Sequence, residues 1–221
     1  MSSRWGGTLP SGPCRPLAVP RLGAAEALAD FAPGRRVVGM NRGQFSLGDL
    51  LRAVLLDHTG PADVTIAAWA AGKEDIRLLV SLARQGQIRR LRWFLDRSFA
   101  RLHPDYTAEI VRDFGDGSVV VTNNHAKVVL VGNEEWAVSI RSSMNMNRNR
   151  RLEQFDIDDN RAIHDFFAAA FDEVAAGMGL GPAKGCGLVT AVFDGLTFGE
   201  QQDEGLLVDD LDLDDLLGAL D

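Results

Sequence analysis

The chain has 221 residues, 46% of them hydrophobic, enough for one domain with a real core; a wholly disordered or fibrous protein is excluded. Its 23 basic and 31 acidic side chains give a formal charge of −8, yet nine of the acids lie in residues 200–221, which hold no Lys or Arg. The 22 acids that remain face all 23 bases, so residues 1–199 are close to neutral and a polyanionic partner is not excluded. Cys14 and Cys186 could make one disulfide but no metal cluster. Neither a signal-like apolar run nor a bilayer-length apolar segment occurs, which predicts a soluble cytoplasmic protein with no membrane partner.

In chain order, residues 1–22 are rich in Pro, Gly and Arg and read as a flexible leader. The regular region is residues 23–176. Ala24–Phe31 fits a short helix and Arg36–Met40 a strand. Ser46 is a candidate N-cap for a helix whose Leu47, Leu50, Leu51, Val54 and Leu55 share one face. Asp63–Trp69 reads as a buried strand, Lys73–Gln87 as a helix, and Leu91–Leu95 as the next strand. Ser98–Phe114 reads as helical with a break near Pro104. Alternation of this kind predicts right-handed parallel crossovers and an α/β layered fold. Four strand candidates then follow with short polar turns: Val119–Thr122, Ala126–Val131, Trp136–Arg141 and Glu153–Ile157. A helix over Asn160–Ala176 carries Ile163, Phe166, Phe167, Ala170, Phe171 and Val174 on its apolar face. Residues 177–199 read as a Gly-rich linker in which Leu188–Phe193 could add a peripheral strand, and residues 200–221 as an acidic Leu/Asp tail.

Asn124 to Phe155 is the stretch that carries chemistry. His125 and Lys127, two apart at the head of an apolar strand, point to one face. Asn145 closes the polar turn Ser142-Ser143-Met144-Asn145, which follows a second strand, and Glu153 opens a third. Three adjacent strand ends would then gather an imidazole, an ammonium, an amide, hydroxyls and a carboxylate. That set suits a phosphodiester. Imidazole attacks phosphorus when its other nitrogen is held in the right tautomer, and Lys, Asn and Ser donors stabilise the developing charge. Such chemistry calls for no metal and no cofactor.

These residues resemble the phospholipase D superfamily signature of H-x-K, four residues, Asp, then G-S-x-N and a downstream Glu. His125 and Lys127 match H-x-K, Ser142 to Asn145 the serine turn, and Glu153 the carboxylate. HAKVVLV, SSMNMNRN and RLEQF are similar to single-motif proteins of that superfamily carried by phages and prophages. Gly132 stands where the family has Asp, and Ser142 where it has Gly. The resemblance implies a phospholipase D-like layered fold, a mixed central sheet flanked by helices. It also implies a phosphohistidine on His125, with a second histidine acting as acid and then base. Since His58, His103 and His164 lack a Lys two residues on, a homodimer sharing the site is implied.

Arg148, Arg150 and Arg151 follow the turn and are candidate phosphate-backbone contacts. Arg89, Arg90, Arg92, Arg97 and Arg101, interleaved with Trp93 and Phe99, are a second candidate groove, with the aromatics as core. Trp69 and Trp136 read as core or strand residues. GLGPAKG lacks the ending of a P-loop. In the tail, Leu206, Leu213, Leu216, Leu217 and Leu220 could share a helix face that folds on a protein partner, or the acids could screen the basic face. The sequence predicts a metal-independent phosphodiesterase, a nuclease of a phage or mobile element. A catalytically silent nucleic-acid-binding or assembly module of the same fold, recruiting a partner through the tail, is the alternative.

Overall fold

The computed structural model describes residues 14–17 and 23–177. Eight strands form one mixed sheet: β1 (Cys14–Leu17), β2 (Arg36–Asn41), β3 (Ala62–Ala68), β4 (Ile88–Asp96), β5 (Val119–Thr122), β6 (Val128–Gly132), β7 (Ala137–Ser142) and β8 (Glu153–Asp159). Their order is β1-β2-β8-β7-β6-β3-β4-β5. The pairs β1/β2, β3/β4 and β4/β5 are parallel, and the four pairs from β2/β8 to β6/β3 are antiparallel. The expected α/β layered fold is therefore present, with β3, β4 and β5 forming a three-stranded parallel section and β1/β2 a parallel pair at the other edge. The reading of residues 1–22 as a leader is amended at Cys14–Leu17, which add an edge strand to β2. The expected linker 177–199 and acidic tail 200–221 lie outside the described residues, except for Gly177.

Helices cover both sheet faces, and alternation along the strands sorts the cores. Val64, Ile66 and Ala68 of β3 belong to the main core, with Leu50 and Leu51 of α2 (Leu47–Ala53) and Ile76 and Leu79 of α3 (Lys73–Arg84). Ala67 points the other way and packs with Phe94, Val120 and Ala175 against α6 (Arg161–Gly177). In the remaining helices, α1 covers only Ala24–Ala27, and α4 (Arg97–Leu102) and α5 (Pro104–Phe114) meet at His103, where the ring of Pro104 ends the first. The helix α2 runs on as π-helical turns over Val54–Thr59.

Local chemistry sets the boundaries. Ser46 caps α2 by accepting from Asp49 N at 3.1 Å, while Asp49 Oδ2 accepts from Ser46 N at 2.9 Å. The third helix stops at Arg84 rather than Gln87. Gly86, at φ +73°, turns the chain so that Gly86 N donates to Ala83 O and Gln87 N to Leu82 O, which satisfies the last carbonyls. Asn160 caps α6, its Oδ1 accepting from Ala162 N at 3.0 Å and Ile163 N at 3.3 Å.

Across β2, β8 and β7 an ion-pair network replaces apolar packing. Arg36 and Arg141 both bind Asp156, and Arg141 also binds Asp158. Burial pushes the Asp156 carboxyl up, but hydrogen bonds and charge from Arg36 and Arg141 outweigh it and hold it below the usual range. For Asp158, which is more deeply enclosed, burial prevails and its carboxyl is raised.

Candidate active site

All strand ends that matter lie on one edge of the sheet. The carboxyl ends of β2, β3, β4, β5 and β7 emerge there, and β6 and β8 begin there because they run the opposite way. Carboxyl ends of parallel strands are where open α/β sheets place their ligand crevices.

His125 and Lys127 do not sit within a strand, as β6 begins at Val128. They lie on the extended approach to it, and Ser142 N donating to Lys127 O at 2.9 Å continues the ladder. Alternation still brings them together: Lys127 Nζ is 3.1 Å from His125 Nδ1 and donates to the His125 carbonyl at 2.8 Å. His125 is exposed and Lys127 half-buried. Burial lowers the Lys127 ammonium pKa, opposed by the charges of Glu153 and Asp96.

Glu153 opens β8 as expected, and its carboxylate holds the serine turn. Ser143 Oγ donates to Glu153 Oε2, and Asn149 Nδ2 donates to Oε1 at 3.1 Å. Ser142 Oγ donates to the Gln154 carbonyl at 2.6 Å and accepts from Met144 N at 3.0 Å. Each hydroxyl has one proton, so both serines spend theirs inside the turn. Asn145 differs. Its half-buried amide leaves Oδ1 without a partner among the described residues, as does that of Asn147. Such a group costs about 1–3 kcal/mol until something binds it.

The loop after the turn is pinned at several points. Met146 N donates to Ala70 O at 3.1 Å, and Gly72 N donates to Met146 O at 2.6 Å. The Arg148 guanidinium, read as a phosphate contact, is engaged by Asp49 Oδ2 at 3.1 and 2.9 Å. Arg150 and Arg151 stand exposed on the same loop. Within the second arginine cluster, Arg89 is met by Glu134, Arg90 by Asp63 and Arg92 by Asp172, while Trp93 and Phe99 are core.

Two residues at this edge were not read as site residues from the sequence. Asp96 ends β4 and caps α4. Half-buried Trp69, read as a core or strand residue, sits just past β3 with its ring 5.9 Å from that of His125. Only the D-x-S pattern of Asp96–Ser98 hinted at the cap, and nothing local hinted at the cluster.

Gly132 is at the far end of β6, about 16 Å from Lys127 at the strand rise of roughly 3.3 Å per residue. A Cβ there would lie 3.0 Å from His164 Nε2, so the imidazole of α6 fills the space where the family's Asp side chain would start. A cavity of about 410 Å³ at this opposite edge is lined by Asp63, Gly132, Asn133, Arg161 and His164, with no motif residue among its walls.

No family model matches the chain, and no curated protein matches it. Among solved structures it is similar to polyphosphate kinase from Porphyromonas gingivalis, a member of the phospholipase D superfamily, at 14% identity and a TM-score of 0.51. The match covers 76% of this chain and 31% of the kinase, so the chain spans about a third of that protein's length. At this identity the likeness concerns the fold, which is phospholipase D-like.

Proposed function

We propose that the chain is a metal-independent phosphodiesterase of the phospholipase D superfamily, a nuclease of phage or mobile-element type that works as a homodimer. The observation that carries this reading is the meeting of the His125 imidazole and the Lys127 ammonium beside the turn that Glu153 holds. A ring nitrogen of His125 attacks phosphorus, forming a P–N bond as the P–O bond to the leaving alcohol breaks. Lys127 Nζ and the Nδ2 of the Asn145 amide donate to the non-bridging oxygens. Ser142, Ser143 and Glu153 hold the turn that presents Asn145, and Arg150 and Arg151 flank it for backbone phosphates.

The leaving oxygen needs a proton and the attacking water must lose one. His58 packs edge-on against Phe31, His103 stacks on Tyr106 and His164 faces Gly132, so none joins this cluster. His125 of a second copy would serve, protonating the leaving alcohol and then deprotonating the water that frees the phosphomonoester. Nucleic acid is preferred over lipid because the exposed arginines flank the motif and, among the described residues, no helix is long and apolar enough to cross a membrane. The kinase to which the fold is similar is named for polyphosphate, another chain of linked phosphates, which makes polyphosphate a necessary third substrate arm.

The test is cleavage of labelled single- and double-stranded DNA in EDTA, with polyphosphate and phosphatidylcholine vesicles in parallel. Cleavage should persist in EDTA and fall about a thousandfold or more in His125→Ala. Binding of DNA without turnover of any substrate by the wild type would instead leave a silent nucleic-acid-binding module. Equilibrium sedimentation that finds only monomer at micromolar protein would remove the shared-site mechanism.

A further inference from the structure

We propose that Asp96 is the positioning carboxylate of this site, fixing the His125 segment and Trp69 from the end of β4. The inference rests on the phosphodiesterase reading. A helix cap alone requires only the contacts to Ser98, where Asp96 Oδ1 accepts from the backbone N–H at 2.8 Å and from the hydroxyl. The other contacts point at the site. Asp96 Oδ2 accepts from Asn124 N at 2.9 Å, and the Trp69 side chain gives the carboxylate a further hydrogen bond.

Asn124 extends this grip. Its buried side chain donates from Nδ2 to Phe94 O at 2.9 Å and accepts at Oδ1 from Ala126 N at 3.0 Å. Both residues flanking His125 are therefore tied to the end of β4 or to each other. Trp69, held by the same carboxylate, stands against the imidazole at 5.9 Å with the rings inclined by 44°. A carboxylate offers about four lone-pair sites, and the four donors here use them.

Charge adds to position. Burial pushes the Asp96 carboxyl up, but hydrogen bonds from Ser98, Asn124 and Trp69 prevail and hold it below its ordinary range, so it is ionised at neutral pH. The groups that face Lys127 are His125 on its own segment, Glu153 of β8 and Asp96 of β4. Asp96 thus opposes the loss of the Lys127 proton that burial favours. The family's Asp position is vacated at Gly132, on the opposite edge; Asp96 is a carboxylate supplied from a different strand to the histidine segment itself.

Full-length wild type, Asp96→Asn, Asp96→Glu and Ser98→Ala are compared with bis(p-nitrophenyl) phosphate as the probe. The ε-carbon of Lys127 is titrated by NMR in each, assigned with Lys127→Arg. In Asp96→Asn, kcat should fall about tenfold to a hundredfold with KM within about threefold of wild type. The Lys127 midpoint and the high-pH limb of kcat should move together to lower pH. Asp96→Glu should recover part of both, whereas Ser98→Ala, which removes only the hydroxyl contact of the cap, should leave kcat within about twofold.

An Asp96→Asn protein with wild-type kcat and an unmoved Lys127 midpoint overturns the proposal. So does Ser98→Ala losing as much kcat as Asp96→Asn. Should Asp96→Asn fail to fold, Trp69→Phe removes the indole donor alone; an unchanged kcat then overturns it. If wild type turns over no phosphodiester, the phosphodiesterase reading falls, and the Lys127 titration decides the role of Asp96 by itself.

Discussion

At the scale of single residues, Gly132 shows how a motif position can change away from the residues gathered around His125. In the phospholipase D pattern this position is Asp, yet here it ends β6 on the edge away from His125, against the His164 ring. Restoring the carboxylate would bring no group to the reacting atoms and would force two buried-edge side chains into one space. Gly132→Asp is therefore expected to lower stability by about 1–3 kcal/mol without raising activity, and His164→Ala should relieve much of that loss. Urea unfolding of the two single variants and the double variant measures the coupling. A stable, more active Gly132→Asp would contradict the placement. His125, Lys127, Asn145 and Glu153 stood out as candidates because an imidazole, an ammonium, an amide and a carboxylate lie at the ends of adjacent strand candidates. Asp96 and Trp69 were not, since each looks locally like a cap or an apolar strand residue and only the pairing of β4, β3 and β6 brings them to the histidine.

At the scale of elements, α2 and α3 are joined by a polar contact inside the core. Asp75, 6% exposed, accepts from Ser46 Oγ at 2.8 Å beside Asp49 and Arg148. Gly48 makes room for its carboxylate, because a Cβ there would overlap it. Burial raises the Asp75 carboxyl from 3.8 to about 6. The folded state therefore takes up the proton at higher pH than the unfolded chain, and this group's contribution to stability is lost as pH rises from 4 through 6. Asp75→Asn keeps an acceptor for Ser46 and never ionises. It should be more stable than wild type by about 2–3 kcal/mol at pH 8, with the difference fading below about pH 4. Chemical denaturation at the two pH values tests this, and a variant less stable at pH 8 would refute it. Most helices and strands of residues 23–176 were readable from periodicity and caps; the early stop of α3 was not, because a positive φ at Gly86 depends on how the chain turns into β4.

At the scale of the molecule, the distribution of charge separates what the chain carries from where it acts. The arginines of β4 are met by Asp63, Glu134 and Asp172, and Arg148 by Asp49, while Lys127, Arg150 and Arg151 place basic side chains at the site edge. Residues 200–221 add nine acids and no base. If those acids compete with a polyanion, deleting residues 200–221 should tighten DNA binding several-fold at low salt, and the gain should shrink as salt screens both charges. Fluorescence anisotropy across a salt series reads both effects; equal affinities at low salt would assign the tail to a protein partner or to no binding role. By itself the sequence determined the alternation of strands and helices, the apolar faces, and the residue types of the motif, because periodicity and side-chain chemistry are local properties. Only the tertiary structure decided that Cys14–Leu17 extend the sheet, that His164 replaces a carboxylate, that Arg148 is clamped, and that Asp96 and Trp69 join His125. Those outcomes depend on strand order and on which side chains compete for one space, and residues far apart in the chain settle them through contact rather than pattern.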